Sequence, residues 1–560
     1  MNKPSLVLCV VLLGLAGCAT PAANMASAPG AAPAAPPPMV TFNVRDFGAT
    51  GDGKTLDTAA INTAISAAAA AGGGRVLFPA GTYASYSIHL KSNVTLFLGD
   101  GSTLLAADAP PEGTPGGYDD AEPNPGNDKY EDFGHSHFHN SLIWGENLTN
   151  IGIIGPGRIY GDGLSRGFDR KDGPPGQPRM RNSAALAARN PTTGEAGYPN
   201  PRDTLANGIG NKSIALKNCR NVIFRDFTVF HGGHFCFLVN AVDNMTLENI
   251  KIDTNRDGMD IDNCQNVRIS DCTVNSPQDD GICLKSDFAL GYNRPCENIT
   301  ITGCQVSGFT EGTLLDGTRK PKDTGPGTGR IKFGTESNGG FINIAISNCV
   351  FEMCHGLALE TVDGAFLEDV SVSNITMRDI VDAPIFLRLG ARVRGPAETM
   401  QKGTFRRVSI SNVIAHNVGN LNGILIVGLP NNAIEDISLS HIFIDYKGGG
   451  TVGNAQREVP EDEKMYPEPG RFGMIPSYGM FARHVHGLSV DHVEFRYAGE
   501  EHRPAVILSE VTSADIDHLK APHAADASAL VLKNVTGLAL RNSPGVPDTV
   551  IDQPIADQKI

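Results

Sequence analysis

Two acidic segments in the middle of the chain carry the residue types that general acid–base chemistry needs. Asp257 lies in the sequence NRDGMDID, and Asp279 and Asp280 lie in PQDDG, with 22 residues between Asp257 and Asp279. Carboxyl groups held close together raise the pKa of at least one of them, which places a proton donor beside a proton acceptor. Hydrolysis of a glycosidic bond uses such a pair, separated by roughly 6.5–9.5 Å in inverting enzymes. These three aspartates are therefore the candidate catalytic residues.

Two alternatives to catalysis stay open for this acidic cluster at the level of sequence. Aspartate and asparagine are frequent where a chain bends, so the acidic residues could simply shape turns. A set of carboxylates could also bind calcium. Our hypothesis is catalysis that needs no metal and no other cofactor.

A repeat that starts near residue 221 would bring the two segments together. A polar residue is followed each time by alternating apolar residues, as in NVIFRDF from Asn221, NMTLENI from Asn244 and NVRISDC from Asn266, and successive starts lie 22 to 45 residues apart. Period-two alternation predicts half-buried strands, and a short fixed unit predicts a solenoid. The predicted fold is all-β: a single-stranded, right-handed parallel β-helix, with coils stacked about 4.8 Å apart. A β-propeller would need units of about 40 residues.

Stacked coils place equivalent residues in columns, so the 22-residue separation predicts that Asp257 and Asp279 share one face. Cysteine alternates with other apolar residues in two such columns, which indicates a buried structural role. The Ala-rich segment Asp57–Ala71 predicts a short helix that caps the open N-terminal end. One column contains Phe227, Ile250, Cys272, Cys304, Cys349, Ile375, Val413 and Ile442, and the other Cys219, Val242, Cys264, Cys296 and Phe341.

The N-terminus predicts export. Residues 1–18 combine Lys3, an apolar run and the sequence LAGC, which is typical of a bacterial lipoprotein signal in which Cys18 receives the lipid. The alternative is an ordinary cleaved signal in which Cys18 is incidental. Residues 19–39 are rich in Ala and Pro and predict a tether, followed by a β-helix catalytic domain over 40–545. We expect a protein of the bacterial cell envelope, lipid-anchored to the outer membrane or in the periplasm.

Charge and loop length limit the partners. The formal net charge is −15, which argues against nucleic-acid binding because that needs a basic surface. Four polar connections are too long to be turns and are expected to form functional walls or to be disordered. They span about residues 108–141, 162–210, 308–330 and 446–478.

The paired motif resembles glycoside hydrolase family 28, the polygalacturonase family, whose members carry Asn-Thr-Asp and then Asp-Asp on adjacent coils. Arg256 replaces the threonine here, and the segment Phe42–Tyr83 is similar to the start of pectate-lyase-superfamily β-helices. The resemblance implies inverting hydrolysis of a galacturonate-containing pectic polysaccharide. It also implies that Asp279 is the general acid and that Asp257 and Asp280 position and deprotonate the attacking water.

Two parts of the family pattern are absent from their expected places. Members usually show Gly-His-Gly on the next coil, where this chain has Thr328 or Gly329 at the histidine position, and Arg-Ile-Lys on a further coil, where it has Ala358 and Glu360. Arg330 and Lys332 belong to an Arg-Ile-Lys sequence that stands one coil too early. We expect these two cations to bind the substrate carboxylate in an altered geometry, and Glu360 to repel a plain galacturonate. The other candidates for substrate binding are Arg256, Lys285, His231, His234 and His355.

The leading hypothesis is a lipid-anchored glycosidase whose partners are a pectic polysaccharide or oligosaccharide and a membrane. Exo action or action on rhamnogalacturonan would suit the long loops. A pectate-lyase-type enzyme and a non-catalytic glycan-binding β-helix are the alternatives. The sequence does not define the oligomeric state.

Overall fold

We describe the protein from a computed structural model. It describes residues 40–111, 114–131, 134–166, 207–322, 327–399 and 402–560. The predicted signal segment, Cys18 and the tether 19–39 lie outside the described residues. Within the ranges given, no helix has the length and apolar character needed to cross a membrane.

The described residues form one long sheet system of 36 strands. The first coils contain β1 (Thr41–Asn43), β2 (Asp52–Leu56), β3 (Gly74–Phe78), β4 (Gly81–Ser85), β5 (Ile88–His89), β6 (Val94–Leu98), β7 (Ser102–Ala106), β8 (Ser141–Glu146), β9 (Thr149–Ile154) and β10 (Arg158–Tyr160). The central coils contain β11 (Lys212–Lys217), β12 (Arg220–Arg225), β13 (Thr228–Phe230), β14 (Phe235–Asn240), β15 (Asp243–Glu248), β16 (Lys251–Asp253), β17 (Asp257–Asp262), β18 (Gln265–Ser270), β19 (Thr273–Asn275), β20 (Ile282–Ser286), β21 (Cys296–Thr302), β22 (Gln305–Ser307), β23 (Ile331–Ser337), β24 (Phe341–Ser347), β25 (Val350–Glu352) and β26 (Leu357–Thr361). The last coils contain β27 (Phe366–Arg378), β28 (Ile385–Leu389), β29 (Thr404–Val418), β30 (Ile424–Val427), β31 (Ile434–Tyr446), β32 (Met480–Tyr497), β33 (Val506–Asp517), β34 (Leu530–Arg541), β35 (Thr549–Ile551) and β36 (Ile555–Lys559).

The strands stack in parallel, coil upon coil. In the central region each strand pairs with the strand three places further along the chain, as β11 does with β14 and β14 with β17. Three strands therefore complete one coil, and like strands form three parallel sheets around a shared core. From β27 onward one long strand replaces two, because β27 pairs with both β24 and β25. This is the predicted right-handed parallel β-helix.

Asparagine sets the bends between strands, as the repeat predicts. Asn221, Asn244 and Asn266 all adopt left-handed backbone angles, with φ between 56° and 58°. Asparagine tolerates this conformation better than most residues. The amide of Asn244 donates to Asn221 Oδ1 on the previous coil (2.8 Å), and the amide of Asn221 donates in turn to Asn150 Oδ1 (2.9 Å). Asn221 and Asn244 are thus bends that also bond to the coil before them.

The core between the three sheets is apolar, and both predicted columns lie in it. Every member of the two columns is buried, with at most 2% of its surface exposed. All nine cysteines of the described chain are free and buried, so they pack as small apolar side chains. The structural role predicted for these thiols is confirmed.

Each end of the stack is covered by a different element. Helix α1 (Thr58–Ala70) buries Ile61, Ala64, Ile65 and Ala68, whose spacing puts them on one helical face against the first coils. This is the predicted N-terminal cap. A second short helix, α2 (Val452–Ala455), lies in the connection between β31 and β32. At the C-terminal end, β35 and β36 run antiparallel to β34, so the ordered domain continues past the predicted limit at 545.

The four long connections also occur where they are predicted. They separate β7 from β8, β10 from β11, β22 from β23 and β31 from β32. Short 3-10 turns occur at Val44–Phe47, Asp128–Tyr130, Ala397–Thr399 and Pro469–Phe472, two of them within these connections.

Candidate active site

The candidate residues lie along one of the three sheets, near the starts of strands on successive coils. Asp257 begins β17, Asp280 lies just before β20, and Arg330 lies just before β23. Gly258 N donates to Asp280 O (3.0 Å), and Gly281 N donates to Arg330 O (2.9 Å). These backbone hydrogen bonds fix the three coils in register and bring together residues that are far apart in sequence.

The register differs by one residue from the sequence prediction. Met259 pairs with Ile282, which is 23 residues further on rather than 22, so Asp257 is level with Asp280 and not with Asp279. The spacing one strand earlier is still 22, since Ile252 pairs with Val274. The extra residue therefore lies in the turn before β20. Because of it, Asp279 is one position out of register with Asp257.

The three aspartates nonetheless converge. One oxygen from each of Asp257, Asp279 and Asp280 lies within 4.8 Å of the others. Asp257 and Asp280 are each 4% exposed, whereas the side chain of Asp279 is 28% exposed. This spacing is tighter than the roughly 6.5–9.5 Å of ordinary inverting enzymes, so the expected separation is not reproduced by the nearest oxygens.

Burial and mutual repulsion favour the protonated form of two of these carboxyl groups. Burial, with the charges of Asp279 and Asp260, raises the pKa of Asp257 well above its usual range. Burial also raises the pKa of Asp279; the charge of Asp280 adds to the rise, while Arg256 opposes it. The site thus contains a carboxyl group, that of Asp279, whose pKa is raised and which is partly open to solvent.

Three cations contact the aspartates. Arg256 Nη2 lies 2.8 Å from Asp279 Oδ2. Arg330 Nε donates to Asp280 Oδ1 (2.9 Å), and Lys332 Nζ lies 3.5 Å from Asp280 Oδ2. Two cations on one carboxylate make Asp280 the member of the set best suited to carry negative charge.

Two glutamates complete the surroundings of Arg330 and Lys332. Glu468, from the connection between β31 and β32, places Oε1 2.5 Å from Arg330 Nη2 and 3.1 Å from Lys332 Nζ. Glu360 is fully buried on β26, where its Oε2 lies 3.8 Å from Lys332 Nζ. Burial raises the pKa of Glu360 to about 8, although Lys332 opposes the rise. The register also confirms the predicted coil order, because Lys332 pairs with Ala358 on β26.

The predicted histidines occupy different surroundings. His234 is buried, its Nε2 lies 3.5 Å from Arg256 Nη2, and burial with the charge of Arg256 holds its pKa well below the usual range. His355 donates its backbone N–H to Thr328 O (2.9 Å), and burial and Arg330 lower its pKa. The structure thus places His355 beside the residue that stands at the expected family histidine. The third candidate, His231, pairs with Glu311 at 2.7 Å.

Lys285 belongs to a second group of charges on the same sheet, which we call the inner cluster: Asp260, Lys285, His135 and Glu336. Lys285 Nζ lies 3.1 Å from Asp260 Oδ2 and 2.5 Å from His135 Nε2. His135 also lies 3.3 Å from Asp260 and 3.7 Å from Glu336. All four side chains are at most 7% exposed, so Lys285 is tied into a buried network.

Comparison with known proteins agrees with this fold. Residues 201–310, which include all three aspartates, match the family described as glycosyl hydrolases family 28. Over this part the chain is similar to glycoside hydrolase family 28. Residues 41–140 match the family described as rhamnogalacturonase A/epimerase, pectate lyase-like.

Several relatives are similar to this chain. The chain is 28% identical over 279 residues to an exo-poly-alpha-D-galacturonosidase of Dickeya chrysanthemi, covering 46% of this chain and 43% of that protein. The match therefore spans less than half of that relative. A probable polygalacturonase of Vitis vinifera is 24% identical over 415 residues, with 71% and 73% of the two chains covered. The structure of a family 28 exopolygalacturonase from Yersinia enterocolitica has the same fold, with a TM-score of 0.54, 19% identity and coverage of 92% and 79%.

Two residues of the candidate site and its surroundings were missed from the sequence. Glu468 and His135 come from long connections, 138 residues and 125 residues away from their partners Arg330 and Asp260. Neither position belongs to the repeat, so no spacing could assign it. The histidine-rich string Gly134–His139 was the one local signal that could have indicated a role for the first of these connections.

The three aspartates could also ligate a cation, since their oxygens are close enough. Arg256, Arg330 and Lys332 already contact two of the three carboxylates. A divalent ion would have to enter against these positive charges. The residues present therefore fit acid–base chemistry better than calcium binding.

Proposed function

We propose that this protein hydrolyses glycosidic bonds in galacturonate-containing pectic polysaccharides or oligosaccharides. The observation that carries the proposal is the convergence of Asp257, Asp279 and Asp280 within 4.8 Å, with Asp279 partly open to solvent and raised in pKa and Asp280 paired to cations. Glycosidases need a proton donor together with a negatively charged partner. The similarity to family 28 and the names of the relatives support pectin as the substrate class.

The three aspartates take different roles in this proposal. Asp279 donates its proton to the leaving glycosidic oxygen, because it is the exposed carboxyl group with a raised pKa. Asp280 accepts a proton from the water that attacks the anomeric carbon. Asp257 lies level with Asp280 on the coil before and helps to hold that water. The water opens the bond from the face opposite the leaving group, so the product has the inverted configuration.

The first test is replacement of Asp279 by asparagine. Loss of the acid should lower kcat by about 10²- to 10⁴-fold on pectic oligosaccharides, with the fold unchanged. Reducing ends should be counted over a panel of homogalacturonan and both rhamnogalacturonans, and NMR should follow the anomeric configuration of the first product. Asp100→Asn, an exposed change outside the site, serves as the matched control.

Near-normal turnover by Asp279→Asn would remove this residue from the acid role. An unsaturated, ultraviolet-absorbing product from the wild type would identify a lyase instead. No turnover of any member of the panel, combined with measurable binding, would favour a glycan-binding protein.

We also infer that the protein is exported and anchored to the cell envelope through Cys18. The lipoprotein-type signal and the Ala/Pro-rich segment 19–39 support this. Cys18→Ser should move the protein from the membrane fraction to the soluble fraction. Retention of the variant in membranes would refute the lipid anchor.

A further inference from the structure

Glu468 occupies the place where the sequence predicts that a substrate carboxylate would bind. Its Oε1 contacts both Arg330 and Lys332, the two cations of the displaced Arg-Ile-Lys sequence. The side chains of these cations are 1% and 2% exposed, whereas that of Glu468 is 26% exposed. At this point the protein therefore presents a carboxylate to solvent, and the two cations are buried behind it.

The connection that carries Glu468 is fastened to the coils on both sides of this residue. On one side, Tyr466 Oη accepts a hydrogen bond from Thr335 Oγ1 (2.9 Å). On the other side, Phe472 is fully buried beneath the guanidinium of Arg388. Because both flanks are packed, the position of Glu468 is built into the fold.

The charges around the two cations are already matched. Asp280 and Glu468 each pair with both Arg330 and Lys332. Burial opposes ionisation of Glu468, but Arg330 and Lys332 outweigh it and hold the pKa of Glu468 far below its usual range. Glu468 is therefore anionic at any pH at which the protein would work. A further carboxylate placed here would meet two anions, and the two cations behind them are already paired.

We propose that the subsite beside Arg330 and Lys332 accepts a sugar without a free carboxylate, and that Glu468 determines this specificity. The inference rests on the proposed hydrolysis of pectic chains and narrows its substrate. The sugar at this subsite is a neutral residue, either a galacturonate methyl ester or a neutral sugar that alternates with galacturonate. Like charges placed together across an interface repel, so a free uronate is disfavoured at this subsite.

The test compares three substrates of equal length: fully de-esterified galacturonan oligosaccharides, their methyl esters, and rhamnogalacturonan oligosaccharides. Wild-type kcat/KM should be at least about tenfold higher on one of the two neutral-sugar substrates than on the free acid. Which of the two is preferred identifies the source of the neutral sugar. Glu468→Gln removes one of the anions paired with the two cations and should reduce the preference by at least about tenfold.

Two matched variants separate charge from structure. Glu468→Asp keeps the charge and should keep the preference, while Glu463→Gln changes an exposed glutamate of the same connection and should have no effect. The salt dependence of KM gives an independent measurement. Added salt screens charges, so it should lower KM for the free acid in the wild type and raise KM for the same substrate in Glu468→Gln.

A wild-type preference for the free acid, or the same substrate preference in Glu468→Gln as in the wild type, would overturn the inference while hydrolysis itself stands. Absence of hydrolysis on all three substrates would overturn the proposed function, and the inference would fall with it.

Discussion

Asp257 and Asp260 lie three residues apart on β17 and are both buried, yet their pKa values shift in opposite directions. Burial raises the pKa of Asp257, and the neighbouring anions outweigh the attraction of Lys285. Burial acts on Asp260 as well, but Lys285 at 3.1 Å and His135 at 3.3 Å outweigh it and lower the pKa. What differs is how fully nearby cations compensate each carboxylate. Of these two residues, Asp257 has the weaker compensation and lies in the proposed active site, whereas Asp260 has the stronger compensation and lies in the buried network.

The largest effect that tests this comparison is on stability. Asp260→Asn leaves Lys285 and His135 buried without their nearest carboxylate, and we expect it to lower the free energy of unfolding by about 3–5 kcal/mol. Denaturant titration measures this change. Asp279→Asn removes a side chain that is 28% exposed from its pair with Arg256, so its cost should be smaller than that of Asp260→Asn.

The effects on activity should be reversed between these two variants. The Asp279→Asn variant should lose turnover while remaining folded. The Asp260→Asn variant should be less stable, but the molecules that stay folded should retain turnover. Equal destabilisation by the two changes would show that the two groups of charges do not differ in the way described.

A smaller effect concerns pH. Arg256 opposes the rise in the pKa of Asp279, so Arg256→Gln should raise that pKa further. A general acid with a higher pKa stays protonated to higher pH, so the alkaline limb of kcat/KM should move upward by about one pH unit. Arg256→Lys keeps the charge and should leave the limb close to that of the wild type. If the alkaline limb does not move in Arg256→Gln, Arg256 does not influence the pKa of the general acid, even if KM rises.

Much of the fold could be predicted from the sequence, because its strands and bends follow local patterns of residue type. Asn221 and Asn244 begin their repeats in a conformation that asparagine tolerates, and Cys272 and Cys304 share a column with other small apolar residues. Such features recur on every coil, so one chain contains many independent copies of the same signal. The positions of the connections could be predicted but their conformations could not, because their sequences contain no repeat.

The sequence predicted those parts of the candidate site whose positions are set by the repeat. Asp257 and the pair Asp279 and Asp280 stand at related places on adjacent coils, and their convergence is found. The one-residue difference in register was not predicted, since an extra residue in a turn leaves no trace in the strand pattern. That difference puts Asp257 level with Asp280 and brings Asp279 to Arg256.

By itself the sequence determined the β-helix, its N-terminal cap and the three aspartates, because each depends on residue types that recur at a fixed spacing. Only the tertiary structure decided which cation meets which carboxylate. Glu468 reaches Arg330 across 138 residues, and His135 reaches Asp260 across 125. Electrostatic energies depend on separations of a few ångströms, and such separations between distant residues are set by the stacking of coils and the packing of connections.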